Sequence, residues 1–238
     1  MSLRLAVFVS GGGTNLQALL DRVDPRAARV ALVVSDRPEA GGLERARRAG
    51  VPTRVIAVAG VEESDVAGAT IEALERAGVD LVALAGYVRR VPEAVVRRWA
   101  GRMLNIHPAL LPAFGGHGMY GMRVHRAVLS AGCRVSGATV HLVDEEYDRG
   151  PIVAQWPVPV WPGDTPEALA ARVLAAEHAL YPATVEAAAR ALARGLRLED
   201  MGGAGVAAFG AADAPDAAAI RRSLGLEPEE ERAWPGRS

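Results

Sequence analysis

An α/β fold built on a doubly wound, mostly parallel sheet with helices on both faces is the fold class this sequence predicts. Short apolar runs of strand character alternate with helical patterns through the first 107 positions. Gly50 and Gly78 stand where helices in that alternation should stop. Half of the 238 residues are hydrophobic while only 5% are aromatic, which suits a core of small aliphatic side chains pressed between helices and a sheet.

In chain order, strands are expected at residues 3–10, 30–35, 53–57, 81–85 and 103–107, with helices at 15–23, 42–49, 62–77 and 92–99 between them. Strand, helix, strand in repetition implies parallel pairing with right-handed crossovers. After residue 107 the rhythm changes. A glycine-rich loop at 114–121 leads to a helix at 122–131, and strands at 135–143 and 152–158 continue the sheet. Residues 165–191 read as one long helix, capped by Thr165 and opened by Pro166, which Pro182 should kink or divide. From about Asp200 the chain is rich in Gly and Ala and then acidic, so a main domain over 1–198 is expected to carry a loosely attached extension over 199–238.

With 27 basic against 28 acidic groups, the net charge of −1 offers no strong attraction for a nucleic-acid backbone or an anionic membrane. Every basic side chain other than histidine is Arg. The absence of Lys excludes a Schiff-base lysine, a pyridoxal-phosphate anchor and the lysine of a nucleotide-binding P-loop. The single cysteine, Cys133, can form neither an internal disulfide nor a zinc site by itself, which fits a reducing cytoplasm. The first residues are a short apolar run leading into glycines, expected to be a strand rather than a signal peptide or membrane span.

Three places could carry chemistry. The first strand ends in Ser10-Gly11-Gly12-Gly13-Thr14-Asn15 just before a helix, where free amide N–H groups at the positive end of a helix dipole suit a phosphate. The loop lacks the dinucleotide GxGxxG pattern, and a plain β-α turn capped by Thr14 or Asn15 accounts for it almost as well. At the fifth strand, alternation puts Met103, Asn105 and His107 on one face and Leu104 and Ile106 on the other. Asn105 and His107 then project together from the carboxyl edge of the sheet, where open α/β folds bind ligands, and Pro108 fixes the exit. Asp148, in an Asp-Arg-Gly-Pro turn, is either solvated surface or a partner that raises and orients the His107 imidazole. His117, His125, His141 and His178 show no metal-ligand spacing, so no metal is expected.

The segments GGGTNLQALL, LAGYVRRV, NIHPALLPAF, SGATVHLVDEEYDRGPIVAQ and EHALYP, in that order, resemble the glycinamide ribonucleotide formyltransferase family over roughly residues 3–195. The resemblance implies a Rossmann-like formyltransferase fold. It also implies direct transfer of a formyl group from the cosubstrate 10-formyltetrahydrofolate to the amine of glycinamide ribonucleotide, in purine biosynthesis, with Asn105, His107 and Asp148 as catalytic trio. By the same resemblance Gly12, Gly13, Thr14 and Asn15 hold the phosphate region and Glu177 bonds ribose hydroxyls. Val88, Arg89, Arg90, Val91, Asn105 and the loop ending at Asp148 line the folate site, largely through backbone groups. Small-molecule substrates, no nucleic acid, no membrane, a cytoplasmic location and room for a homodimer follow from it.

The loop at 115–121 is longer than in many members, residues 60–64 lack the arginine some relatives use near the folate tail, and the extension has no placed counterpart. Rival readings fit the sequence less well. A formyltetrahydrofolate hydrolase would carry an amino-terminal regulatory domain, and a methionyl-tRNA formyltransferase a basic carboxyl-terminal RNA-binding domain. A non-catalytic nucleotide-binding domain would use only the glycine loop.

Overall fold

The computed structural model describes residues 2–203. Its chain runs β1 (Leu3–Val9), α1 (Thr14–Arg22), β2 (Ala28–Ser35), α2 (Gly41–Arg48), β3 (Thr53–Val55), α3 (Glu63–Arg76), β4 (Leu81–Leu84), α4 (Glu93–Arg98), β5 (Met103–His107), α5 (Met122–Ser130), β6 (Val135–Leu142), β7 (Ile152–Pro159) and α6 (Pro166–Ala193). The strands form one sheet in the order β3-β2-β1-β4-β5-β6-β7. The five strands from β3 to β5 in that order pair in parallel, and β6 and β7 continue antiparallel. The expected doubly wound, mostly parallel sheet is therefore present, and each expected element lies within a few residues of its place. β3 is shorter than its apolar run suggested because it is an edge strand paired only with β2, and Val55 already faces solvent.

Alternation along each strand feeds two apolar layers. Leu5, Val7 and Val9 of β1 join Leu81, Ala83, Leu104 and Ile106 in the layer under α1, α5 and α6. Ala6 and Phe8 join Val82, Leu84 and Met103 in the layer under α3 and α4. Asn105 and His107 share the face of Met103, so they point to the α3/α4 side, at the end of β5 where that apolar layer stops.

α6 is buried along most of its length from Ala176 to Ala191 and is not divided at Pro182. A proline inside a helix withholds one N–H from the carbonyl four residues earlier, here that of His178. The Arg22 guanidinium donates to that carbonyl at 3.1 Å, which replaces the missing bond and lets the helix continue. One residue before the proline, the buried Tyr181 hydroxyl lies 3.0 Å from the carbonyl oxygens of both Leu84 and Leu104. This fastens α6 to the last residue of β4 and the second residue of β5. Thr165 caps the helix as expected, its hydroxyl accepting from the Ala168 N–H at 3.2 Å.

After α6, a turn of 3-10 helix (Leu198–Gly203) docks on the sheet at β7, with Leu198 fully in the core and Met201 packed against it. The first residues of the expected extension are thus packed, and 204–238 lie outside the described residues. Among the described residues no helix is long and apolar enough to cross a membrane.

Candidate active site

The sheet order reverses between β1 and β4, and the loops leaving these strands are stitched together: Ser10 N–H donates to Gly86 O at 3.2 Å, and Val88 N–H donates to Ser10 Oγ at 3.1 Å. A cavity of about 770 Å³ opens beside this switch point, over the ends of β4 and β5. Its lining includes Asn15, Asn105, His107, His141, Asp148 and Glu177.

Residue pairing across β5 and β6 sets Asn105 opposite His141 and His107 opposite Thr139. Asn105 Nδ2 lies 3.1 Å from His141 Nε2. His141 Nδ1 faces the Leu142 carbonyl at 2.8 Å and must carry a hydrogen there. Nε2 is then the acceptor for the Asn105 amide in the neutral ring. The buried Thr139 hydroxyl donates to Ala109 O at 2.7 Å and accepts from Leu111 N–H at 3.0 Å, so it fixes the turn after His107.

Asp148 completes the cluster. The loop between β6 and β7 brings its Oδ2 to 3.5 Å from His107 Nδ1 and its Oδ1 to 3.4 Å from His141 Nε2. The Gly116 N–H donates to Oδ2 at 2.9 Å. On the far side of the imidazole, His107 Nε2 donates to the Phe114 carbonyl at 2.9 Å. Both Asp148 and Phe114 have left-handed backbones, with φ of 55° and 57°, an uncommon state for non-glycine residues that tends to gather at functional sites.

The electrostatics differ from expectation at His107. Burial disfavours the imidazolium most strongly; Asp148 and the Phe114 carbonyl favour it, His141 opposes it, and the net pKa is lowered. Asp148 does orient the ring, but with 3% of His107 exposed the desolvation cost outweighs the carboxylate. For Asp148 the balance reverses. Burial raises its pKa, yet the His141 ring, which can donate from Nε2 when both its nitrogens carry hydrogen, the charge of His107 and the Gly116 N–H together hold the carboxyl below its usual range.

Toward α6, Asn15 Nδ2 donates to Glu177 Oε2 at 2.6 Å. Burial pushes the Glu177 carboxyl up to about 7 against the opposing Asn15 bond. Asn15 Oδ1 has no partner among the described residues. Gly12, Gly13 and Thr14 are not part of the cavity wall. Gly12 and Thr14 are exposed, and Gly13 is buried against α2, where a Cβ would stand 2.5 Å from Gly42 Cα.

On the opposite wall, Val88, Arg89, Arg90 and Val91 line the cavity. Arg89 Nε pairs with the buried Asp36 Oδ2 at 3.1 Å, and Arg90 donates to Glu145 O at 3.2 Å. Burial disfavours the Asp36 carboxylate, but bonds from Ser10, Arg89 and Arg37 lower its pKa overall. Both guanidinium groups of this wall are thus committed to protein partners.

Residues 3–185 match the formyl transferase family. The chain belongs to that family. It is 48% identical over 188 residues to the chloroplastic phosphoribosylglycinamide formyltransferase of Arabidopsis thaliana, covering 77% of this chain and 64% of that protein. It is 37% identical to the phosphoribosylglycinamide formyltransferase of Escherichia coli, covering 77% and 85%. Among solved structures, glycinamide ribonucleotide transformylase 1 from Symbiobacterium toebii superposes with a TM-score of 0.73 at 46% identity, covering 79% of this chain and 88% of that one. The chain spans less than two thirds of the length of the plant relatives, 64% and 60%.

Within this formyl transferase fold, the sequence-derived trio Asn105, His107 and Asp148 comes together in one cavity. His141 was not singled out, although it contacts two of the three. The signal was its place two residues beyond Thr139 on a strand that pairs with β5, and only the register reveals it.

Proposed function

We propose that this protein transfers the formyl group of 10-formyltetrahydrofolate to the primary amine of glycinamide ribonucleotide, a reading supported by relatives named phosphoribosylglycinamide formyltransferase. The observation that carries the reading is the convergence of Asn105, His107, His141 and Asp148 on one cavity of about 770 Å³, a volume that suits small-molecule substrates.

In this reading the amine attacks the formyl carbon and a C–N bond forms while the carbonyl oxygen takes up negative charge. Asn105 Nδ2 and His107 Nε2 supply N–H donors to that oxygen, and preorganised donors of this kind are worth on the order of 10²–10³ in turnover each. The Phe114 carbonyl engages Nε2 before substrate enters, so the reacting oxygen takes over its hydrogen bond. His107 rests neutral and still donates through Nε2–H. As the oxyanion forms, a second proton at Nδ1 becomes favourable, and Asp148 faces that nitrogen. The amine's surplus proton departs through water at the Asp148 carboxylate. N10 of the carrier gains a proton as its bond to the formyl carbon breaks, which closes the proton balance and releases tetrahydrofolate. No covalent enzyme intermediate and no metal are called for.

Asn15 and Glu177 take the ribose hydroxyls, and the phosphate extends past Asn15 to the backbone amides of the exposed Gly12 and Thr14 and of the buried Gly13 at the start of α1. Val88, Arg89, Arg90, Val91 and Asn105 take the folate, the first four through their backbone because the two arginines are already paired. A formyl-transfer assay run with and without glycinamide ribonucleotide tests the reading. Tetrahydrofolate should appear only when the ribonucleotide is present. Release without it would mean hydrolysis, and no release in either case would end the proposal.

A further inference from the structure

Asp148 is gripped by a segment to which the proposed chemistry gives no task. The Gly116 N–H donates to the same Asp148 oxygen that faces His107. Gly115 lies flat against the aspartate: a Cβ built on it would stand 3.1 Å from Asp148 Cβ and 2.5 Å from Leu111 Cδ2. The next residue, His117, packs its ring edge against Tyr147, with centroids 5.6 Å apart and planes at 74°. Three consecutive residues of one loop thus touch two consecutive residues of the other. The grip falls where Asp148 holds a φ of 55°, and such strain persists only where the surroundings over-determine it.

We infer that Gly115, Gly116 and His117 form a positioning clamp for Asp148. The clamp acts through the aspartate, and the inference rests on reading Asp148 as part of the transfer machinery. A carboxylate at the end of a short side chain can turn about two bonds. His141 engages Oδ1 on one side, while His107 and Gly116 share Oδ2 on the other, so the Gly116 N–H is the one contact to Oδ2 that needs no particular protonation state. A hydrogen bond to an ionised acceptor is about twice as strong as a neutral one, which makes this amide an effective latch. Gly115 is what lets the latch come close. His117 and Tyr147 tether the two loops from the solvent side, where both rings are exposed.

The test compares wild type, Gly115→Ala, His117→Ala, His117→Phe and a control, Gly132→Ala, whose glycine, unlike Gly115, has positive φ and has open space around it. In wild type the Gly116 amide resonance should move with the titration of the Asp148 carboxyl, and that movement should vanish in Asp148→Asn. Gly115→Ala should lose on the order of 10²-fold in kcat, as expected when a working group shifts by about 1 Å, with both KM values nearly unchanged. The acidic limb of its kcat profile should move to higher pH, because the carboxylate facing His107 of β5 and His141 of β6 has lost a donor. His117→Ala should lose about 3- to 10-fold in kcat, the worth of one aromatic pair, at an unchanged melting temperature. His117→Phe should recover most of that loss.

A Gly116 amide blind to Asp148, losses confined to KM, or a Gly115→Ala enzyme no slower than Gly132→Ala would overturn the clamp. If Gly115→Ala does not fold, the two His117 variants decide the matter, and equal turnover in both overturns it. Wild-type protein that fails to formylate glycinamide ribonucleotide would remove the proposed function instead, while the amide titration still decides whether the latch exists.

Discussion

Asp148 Oδ2 lies 3.5 Å from His107 Nδ1, and the buried imidazole and half-buried carboxylate have net pKa directions set by different forces. Burial rules the imidazole, whereas hydrogen bonds and charge rule the carboxylate. The two groups should therefore titrate and act as one unit. Asp148→Asn keeps the size but removes the charge that favours imidazolium, so the His107 pKa, followed by NMR, should fall further. Turnover should drop by about 10²-fold or more, with weaker effects on binding. His107→Asn should do similar damage, and the double variant should be little worse than the poorer single one. Multiplicative losses, or an unmoved His107 titration, would show that the residues act independently.

Glu177 makes a pH prediction of opposite sign to the histidines. Its folded pKa of about 7 lies above the ordinary 4.5, so the protonated form favours folding. That contribution is present below pH 4.5 and is lost as pH rises toward about 7, with a magnitude on the order of 3 kcal/mol. His107, His125 and His178 have lowered pKa values, chiefly from burial, and so favour folding as pH rises. Glu177→Gln retains an acceptor for Asn15 and cannot ionise. The difference in stability between this variant and wild type, from denaturant titrations at pH 5 to 8, should grow with pH in favour of the variant. The KM for the ribonucleotide should rise while that for the folate stays put. A flat difference curve would contradict the buried carboxyl.

Much of the architecture was legible because periodicity of two and of 3.6 is written directly in residue order. Asn105 and His107 were legible for the same reason. What escaped the sequence depends on register and burial. His141 matters because it stands opposite Asn105, and no local pattern says which strand β6 will pair with. The bonds of Gly116 N–H and Phe114 C=O are made by backbone atoms that every residue carries, so they leave no signature. The lowered His107 pKa follows from its being 3% exposed, a tertiary property. Pro182 shows the converse: a local rule allowed a division there, the helix is not divided, and a distant arginine supplies the donor that the proline withholds.

Gly13 has a structural demand that the sequence did not reveal. The sequence places it in a loop whose free amides suit a phosphate, and the structure shows α2 occupying the space a side chain would need, with Gly42 Cα 2.5 Å from any Cβ. Its φ of 72° adds a second penalty. Gly13→Ala should lower stability by about 2 kcal/mol or more through overpacking and backbone strain. Gly50→Ala, at φ 69° with nothing nearby, should cost only about 1 kcal/mol. Denaturant midpoints for the two variants check this, and equal losses would mean that the contact with α2 relaxes freely.

The continuity of α6 through Pro182 should depend on Arg22. Its guanidinium donates to the His178 carbonyl at 3.1 Å, the acceptor that an ordinary residue at 182 would satisfy with its own N–H. Arg22→Ala removes that donor and should cost about 0.5–1.5 kcal/mol, the net worth of one hydrogen bond. Pro182→Ala restores an N–H within the helix, so in that background the same Arg22→Ala change should cost markedly less. The two single variants and the double, measured by denaturant unfolding at one pH, form a cycle whose coupling reports the substitution of one donor by the other. Because Arg22 also raises the cost of a charge on His178, the measurements belong at pH 8, where that ring is neutral throughout. Additive effects would show that the Arg22 contact does not stand in for the bond that Pro182 withholds.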